Sequence, residues 1–138
     1  ILKLTNLAEN YNASELTDNC LAKNIKKTAN ILNENNYSNE DCILIVRTLL
    51  TKAKRLLKLQ EEVKKNKNIE QVITNFKPPI FWKDKEIVKQ QINYWPLEKI
   101  INMIENINEI ELLIKKNSTN SLNILSNFII SQSTTSNN

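Results

Sequence analysis

Apolar residues recur along most of the chain at spacings of three and four residues, the period of an α-helix with one buried face. The longest such run predicts a helix over residues 39–65, and the pair Ser38 and Asp41 precedes it as a capping box. Its apolar positions are Cys42, Val46, Leu49, Ala53, Leu56 and Val63. A stripe this wide, flanked by Ile45, Leu50 and Leu57, favours the core helix of a bundle over a dimeric coiled coil.

Shorter helical patterns lie on both sides of this run. They predict helices over 15–23, 25–32, 69–76, 85–94 and 97–116, and a last one from Ser121 to about residue 130. Ser14, Asn24 and Ser121 are the expected N-caps, and Pro96 fits the start of a first turn. In a chain without glycine, we expect an asparagine of the cluster 33–36 to take the left-handed position at a helix end. No segment alternates as a strand does, so the sequence predicts an all-α helical bundle of about five to seven helices.

The 138 residues suffice for one domain with one core. Residues 1–13 are weakly patterned, and we interpret them as the tail of a preceding domain. The helical domain itself is expected over 14–131. Residues 132–138 contain no apolar side chain and are expected to be a disordered tail. Because the sequence does not begin with methionine, we expect the chain to be part of a longer protein.

Composition excludes several classes of function. The chain has no glycine, which excludes phosphate-binding glycine loops and nucleophile elbows, and no histidine, the commonest general base and metal ligand. Two cysteines, Cys20 and Cys42, are too few for a metal site, and we expect buried thiols, although their positions leave a disulfide open. Neither a membrane-spanning run nor a signal peptide is visible, so we expect a cytoplasmic, non-catalytic chain without cofactor or metal.

Three groups of side chains have alternative interpretations. The carboxylates of Glu61–Glu62 and of Glu105 and Glu109 are expected on solvated helix surfaces rather than in an acid–base site. A basic stretch over 52–67 is either a surface for nucleic-acid phosphates or, as we favour, an ordinary solvated helix face. It comprises Lys52, Lys54, Arg55, Lys58, Lys64, Lys65 and Lys67. The aromatic residues could stack on bases, but we expect them in the core; they are Phe81, Trp82, Tyr94 and Trp95.

Several short motifs follow one another in a recognisable order. The segment 78–83 reads PPIFWK, and the segment 94–100 reads YWPLEKI. Leu21-Ala22-Lys23-Asn24 lies upstream, as does the segment 45–50, IVRTLL, and residues 111–115, ELLIK, follow downstream. Together they resemble the C-terminal domain of the bacterial DNA polymerase III delta subunit over about residues 14–130. Three turn positions depart from that pattern: Lys23 replaces a glycine, Pro96 replaces a serine, and Asn117-Ser118 replaces a common Thr-Gly.

The resemblance implies a collar domain of a clamp loader, the assembly that places the sliding clamp on DNA during replication. Residues 1–13 would then end a domain of AAA+ type. The implied partners are the gamma/tau and delta-prime subunits in a hetero-pentamer, whereas the sliding clamp and DNA would bind parts of the parent protein outside this sequence. Arg47, which matches the arginine of the family's L-R-x-L, and Arg55 are the candidate subunit-interface residues. The alternative is a stand-alone helical module that binds nucleic acid or serves as an adaptor.

Overall fold

The structure, a computed structural model, describes residues 2–66 and 68–134, with side chains from Tyr11 onward. Within these ranges the chain is all-helical, with seven α-helices and no strand, which confirms the predicted fold class. The helices are α1 (Leu2–Leu21), α2 (Ile25–Glu34), α3 (Asn39–Asn66), α4 (Ile69–Asn75), α5 (Lys85–Tyr94), α6 (Leu97–Lys116) and α7 (Ser121–Ser133). Short 3₁₀ turns at Trp82–Asp84 and Ser118–Asn120 lead into α5 and α7.

Side-chain caps fix the start of several helices. Ser38 and Asp41 form the predicted capping box before α3: the Asp41 amide donates to the Ser38 hydroxyl at 3.1 Å, and the Ser38 amide donates to the Asp41 carboxylate at 3.0 Å. Asn24 accepts from the amide of Lys27 at the start of α2, as predicted, and Asn68 caps α4 in the same way. These polar contacts satisfy amides that have no partner within the helix.

Three boundary predictions were wrong. The predicted cap Ser14 lies inside α1, which begins at Leu2, and its oxygen atoms accept from Lys52 instead of from an amide of its own helix. The last helix has Asn120 rather than Ser121 at its N-cap, and it continues to Ser133, into the expected tail. Serine hydroxyls there donate to carbonyls three residues back, which satisfies them within the helix. Residues 135–138 of that tail lie outside the described residues, and the division into domains stays a prediction.

The long helix α3 lies at the centre of the bundle. It packs most extensively against α6 and α1, and α7 closes the core against α1, α2, α3 and α6. The predicted stripe of α3 is buried except for Val63, which is partly buried. Burying a Leu or Ile side chain contributes about 1.5–3 kcal/mol. The fully buried large side chains include Leu16, Leu49, Leu56, Leu59, Ile100, Ile107, Ile114, Leu125 and Ile129, so one core supports the fold.

Candidate interaction surface

The interface candidate Arg47 lies on the outer face of α3. Its side chain is 61% exposed, and its Nε lies 3.6 Å from Oε2 of Glu111 on α6. Lys115, one turn further along α6, holds the same carboxylate at 2.8 Å. The hydrogen bond from Lys115, aided by the positive charge of Arg47, lowers the pKa of Glu111. Because most of its side chain is exposed and Lys115 lies closer to the same carboxylate, Arg47 remains available to a partner.

The second candidate, Arg55, faces the interior instead. Only 24% of its side chain is exposed, and its Nη2 lies 3.9 Å from Oδ1 of Asp18 on α1. Lys52, only 12% exposed, places its Nζ 2.6 Å from the same oxygen and also donates to Ser14. These four residues form the Asp18 cluster, which ties α1 to α3. About a quarter of the Arg55 side chain is therefore exposed and can contact a partner.

Burial dominates the electrostatics of the Asp18 cluster. Loss of solvent lowers the pKa of Lys52, although the carboxylate of Asp18 acts in the opposite direction. The Nη2 atom of Arg55 is buried and has no hydrogen-bond acceptor in the described part of the chain. Sequence reasoning missed this cluster because Asp18 is one polar residue among several in α1, and nothing in the pattern marks it as buried.

The basic stretch therefore divides into two parts. Lys54, Lys58, Lys64 and Lys65 are exposed, as expected of a solvated helix face. Lys52 and Arg55 are turned toward α1 and do not belong to that face. Lys67 lies outside the described residues. The fold therefore does not present residues 52–67 as one continuous basic surface.

The expectation that all four aromatic side chains lie in the core was wrong for three of them. Trp95 is buried, but Phe81, Trp82 and Tyr94 are exposed, with Trp82 at 69%. Phe81 and Trp82 follow the Pro78–Pro79 stop and enter a 3₁₀ turn at the surface; their ring centroids are 5.9 Å apart at an angle of 54°. The ammonium of Lys83 lies 5.4 Å from the Trp82 centroid. An exposed aromatic pair with a neighbouring cation has the chemistry of a stacking platform.

The C-terminus of α1 has an unusual residue in its cap. Lys23 has a φ of 61°, the left-handed conformation that glycine normally supplies. The amide of Lys23 donates to the carbonyl of Cys20 at 3.1 Å, and the amide of Asn24 donates to the carbonyl of Asn19 at 3.0 Å. These two bonds form a Schellman motif. The expected left-handed asparagine after α2 was wrong, because Asn35 at that C-cap is extended. The left-handed residue instead lies at the end of α1.

Side chains from α5 and the residue after it complete this helix end. The indole Nε1 of Trp95 donates to the carbonyl of Leu21 at 2.7 Å, and Nε2 of Gln91 donates to that of Asp18 at 3.0 Å. Both donors are buried. The indole partner explains why Trp95 alone of the four aromatic residues is internal, since a buried N–H needs an acceptor.

The groups considered for chemistry are arranged as follows. Cys20 and Cys42 are unpaired and buried, as predicted, and burial raises the pKa of Cys20 to about 12 and that of Cys42 to about 11. Glu61, Glu105 and Glu109 lie on exposed helix surface and Glu62 is partly exposed. Among the described side chains, no group of three or more Asp, Glu, Cys or His residues is placed to hold a metal ion.

Comparisons with known proteins identify no relative. The chain matches no protein-family model, no curated protein and no solved structure. None of the helices within residues 2–66 and 68–134 has both the length and the apolar character needed to cross a membrane.

Proposed function

We propose that the chain is the C-terminal collar domain of a bacterial DNA polymerase III delta subunit, a non-catalytic module that assembles the clamp loader. The observation that supports this proposal is that four of the five segments carrying the resemblance meet in pairs. Trp95 of the segment 94–100 donates to the carbonyl of Leu21 in the segment 21–24, and Arg47 of the segment 45–50 pairs with Glu111 of the segment 111–115. Motifs that serve packing are expected to touch in this way, although they are far apart in sequence.

The departure at Lys23 also fits the proposal. The family pattern has a glycine at this position, and Lys23 adopts the left-handed conformation for which glycine is usually required. The lysine therefore occupies the position of the glycine and keeps the left-handed backbone conformation. Pro96 occupies the N-cap of α6, where the chain turns into the helix without the capping hydrogen bond that a serine side chain would supply.

The mechanism of such a module is docking alone. In a ring of different subunits, unlike surfaces meet at each contact. The outer faces of α3 and α6 are candidates for these contacts, because Arg47 is exposed on α3 and Leu112 and Leu113 are exposed on α6. Arginine is enriched among the residues that dominate binding at protein interfaces. The expected partners are the helical domains of the gamma/tau and delta-prime subunits.

Reconstitution of the clamp loader tests this proposal. A full-length delta subunit lacking residues 14–131 is expected to bind the sliding clamp but not to enter the pentamer with gamma/tau and delta-prime. If the truncated protein assembles as well as the intact one, the proposal is wrong. Within the intact subunit, Arg47→Glu is expected to weaken assembly about tenfold, or about 1.4 kcal/mol. Lys27→Glu is the matched control, since Lys27 is also an exposed cation paired with one carboxylate, that of Glu15.

A second candidate function is supported by the exposed pair Phe81 and Trp82. Together with Lys83, these rings favour the alternative of a helical module that binds single-stranded nucleic acid. Filter binding of a single-stranded oligonucleotide to the chain tests it. Trp82→Ala is expected to weaken binding by about 1–3 kcal/mol, whereas Tyr94→Ala, an exposed ring at the other end of α5, should leave it unchanged. Equal effects of the two substitutions, or no binding by the unsubstituted chain, would rule out this site.

A further inference from the structure

A cavity of about 240 Å³ opens between the end of α1, the first half of α6 and the last turn of α7. Among the residues that the structure describes, none that lines it carries a carboxylate. Apart from the rings and thioether of Trp95 and Met103, its walls carry two ammonium groups, three amides and two hydroxyls. The hydroxyls of Ser131 and Thr134 already donate to the carbonyls of Phe128 and Ser131, so the ammonium groups and the amides are the donors that remain. The donors used below are Lys23, Lys99, Asn102 and Asn106. A pocket with several donors and no acidic side chain has the chemistry of an anion site.

The ammonium group of Lys23 is already held in place. Its Nζ donates to the carbonyl of Gln132 at 2.7 Å and lies 4.0 Å from the centroid of the Trp95 ring. An ammonium has three protons, so donation to Gln132 leaves two for other acceptors. Because the side chain is ordered by these two contacts, a ligand would not have to order it on binding. The contact with Gln132 also places the positive charge of Lys23 at the negative end of the α7 dipole, which it offsets in part.

The positive charge at this cavity is not balanced by the protein. In the described part of the chain, no carboxylate lies within 4.0 Å of the ammonium of Lys23 or Lys99. Burial lowers the pKa of Lys23, and the thiol of Cys20 acts in the opposite direction. The charge of Lys99 lowers this pKa as well, because the two ammonium groups repel each other. Lys99 also lies in the first turn of α6, where the helix dipole is positive. A bound anion would relieve both unfavourable interactions.

From the shape of the cavity and the donors that line it, we infer that it binds a phosphate group. The free donors come from the end of α1 and from successive turns of α6, so an anion with several oxygens, such as phosphate, can accept from more than one of them. Two kinds of ligand carry such a group: a nucleic-acid backbone and a small free phosphate compound. The inference does not depend on the collar proposal, because the site lies wholly within this chain and is tested on the chain alone.

Amide chemical shifts measured by NMR provide the test. Inorganic phosphate, titrated against chloride at constant ionic strength, is expected to cause saturable shifts at Asn102, Asn106 and Thr134. Lys99→Gln, an exposed substitution that should not affect folding, is expected to weaken the apparent Kd about tenfold, the loss of one charge-assisted hydrogen bond of about 1.4 kcal/mol. Lys116→Gln, at the far end of the same helix, is the matched control and should change nothing.

A second titration, with a short single-stranded oligonucleotide, distinguishes the two sources. Shifts of the same amides at lower concentrations than with inorganic phosphate support the site and assign it to a nucleic-acid backbone. Shifts with inorganic phosphate alone support the site and assign it to a small phosphate compound. The absence of saturable shifts with both probes overturns the inference, and so does an equal loss of affinity in Lys99→Gln and Lys116→Gln.

Discussion

Replacing Asp18 by asparagine isolates the contribution of the buried charge on α1. The substitution keeps the shape of the side chain but leaves the cations of Lys52 and Arg55 without the carboxylate that lies 2.6 Å and 3.9 Å from them. Removing one partner of a buried ion pair costs about 3–5 kcal/mol. Here Arg55 retains some solvent and the asparagine oxygen can still accept from Lys52, so we expect a loss of about 2–3 kcal/mol in the free energy of unfolding. That is a large part of the stability of a small domain.

Urea unfolding followed by far-ultraviolet circular dichroism measures this loss. The double variant Asp18→Asn, Lys52→Met also removes one of the two unpaired cations. We therefore expect its free energy of unfolding to be higher than that of Asp18→Asn alone by about 1 kcal/mol or more. Glu62→Gln is the control, because Glu62 forms an exposed pair with Lys65 at 3.7 Å that is worth at most about 0.5 kcal/mol. The reasoning about buried charge is refuted if Asp18→Asn lowers the free energy of unfolding no more than this control. It is also refuted if the loss in the double variant equals the sum of the losses caused by Asp18→Asn and Lys52→Met alone.

Three further predictions concern the helix cap and the thiols. Lys23→Ala should be less stable than Lys23→Gly by about 1 kcal/mol in urea unfolding, because alanine keeps the unfavourable left-handed conformation that glycine relieves; equal stabilities would contradict this. Trp95→Phe should lose about 1–3 kcal/mol in the same assay, since the buried carbonyl of Leu21 is left without its donor. Burial raises the pKa of Cys20 from 9.0 to about 12 and that of Cys42 to about 11, so their contribution to stability is complete below pH 9 and is lost as the pH rises toward 11–12. Urea unfolding at stepped pH should show this decline, with a smaller slope in Cys20→Ala; an unchanged slope would show that this thiol is not responsible.

The sequence predicted the helices with strong local signals almost to the residue. The bounds of α5 and α6 agree with those predicted, and α3 extends one residue further. In each case a periodic apolar stripe coincides with a capping box, a proline or a polar break, so local chemistry determines both ends. The start of α1 was missed because its first residues lack such a stripe, yet contain no glycine or proline that would stop a helix.

The parts of the candidate surface that sequence could not predict depend on distant partners. Trp95 and Trp82 look alike in sequence, but only Trp95 finds an acceptor for its indole N–H, on a residue 74 positions away. Lys52 looks like a member of the exposed basic stretch, but Asp18 on another helix draws it inward. Arg47 is the opposite case, because its position opposite the apolar stripe is a property of α3 alone, and its exposure followed from the pattern.

The cap of α1 has a consequence for the order in which the chain folds. The long-range hydrogen bonds at this helix end join residues that are 73, 74 and 109 positions apart. Gln91 and Trp95 donate to the carbonyls of Asp18 and Leu21, and Lys23 donates to that of Gln132. Until α5 and α7 have docked, the last turn of α1 lacks these bonds and is expected to fray. Contacts of such sequence separation form late and slow the folding of a helical protein. The last turns of α1 and α7 are therefore expected to become ordered in one cooperative step, and amide hydrogen exchange in the last turn of α1 should follow global unfolding rather than local opening.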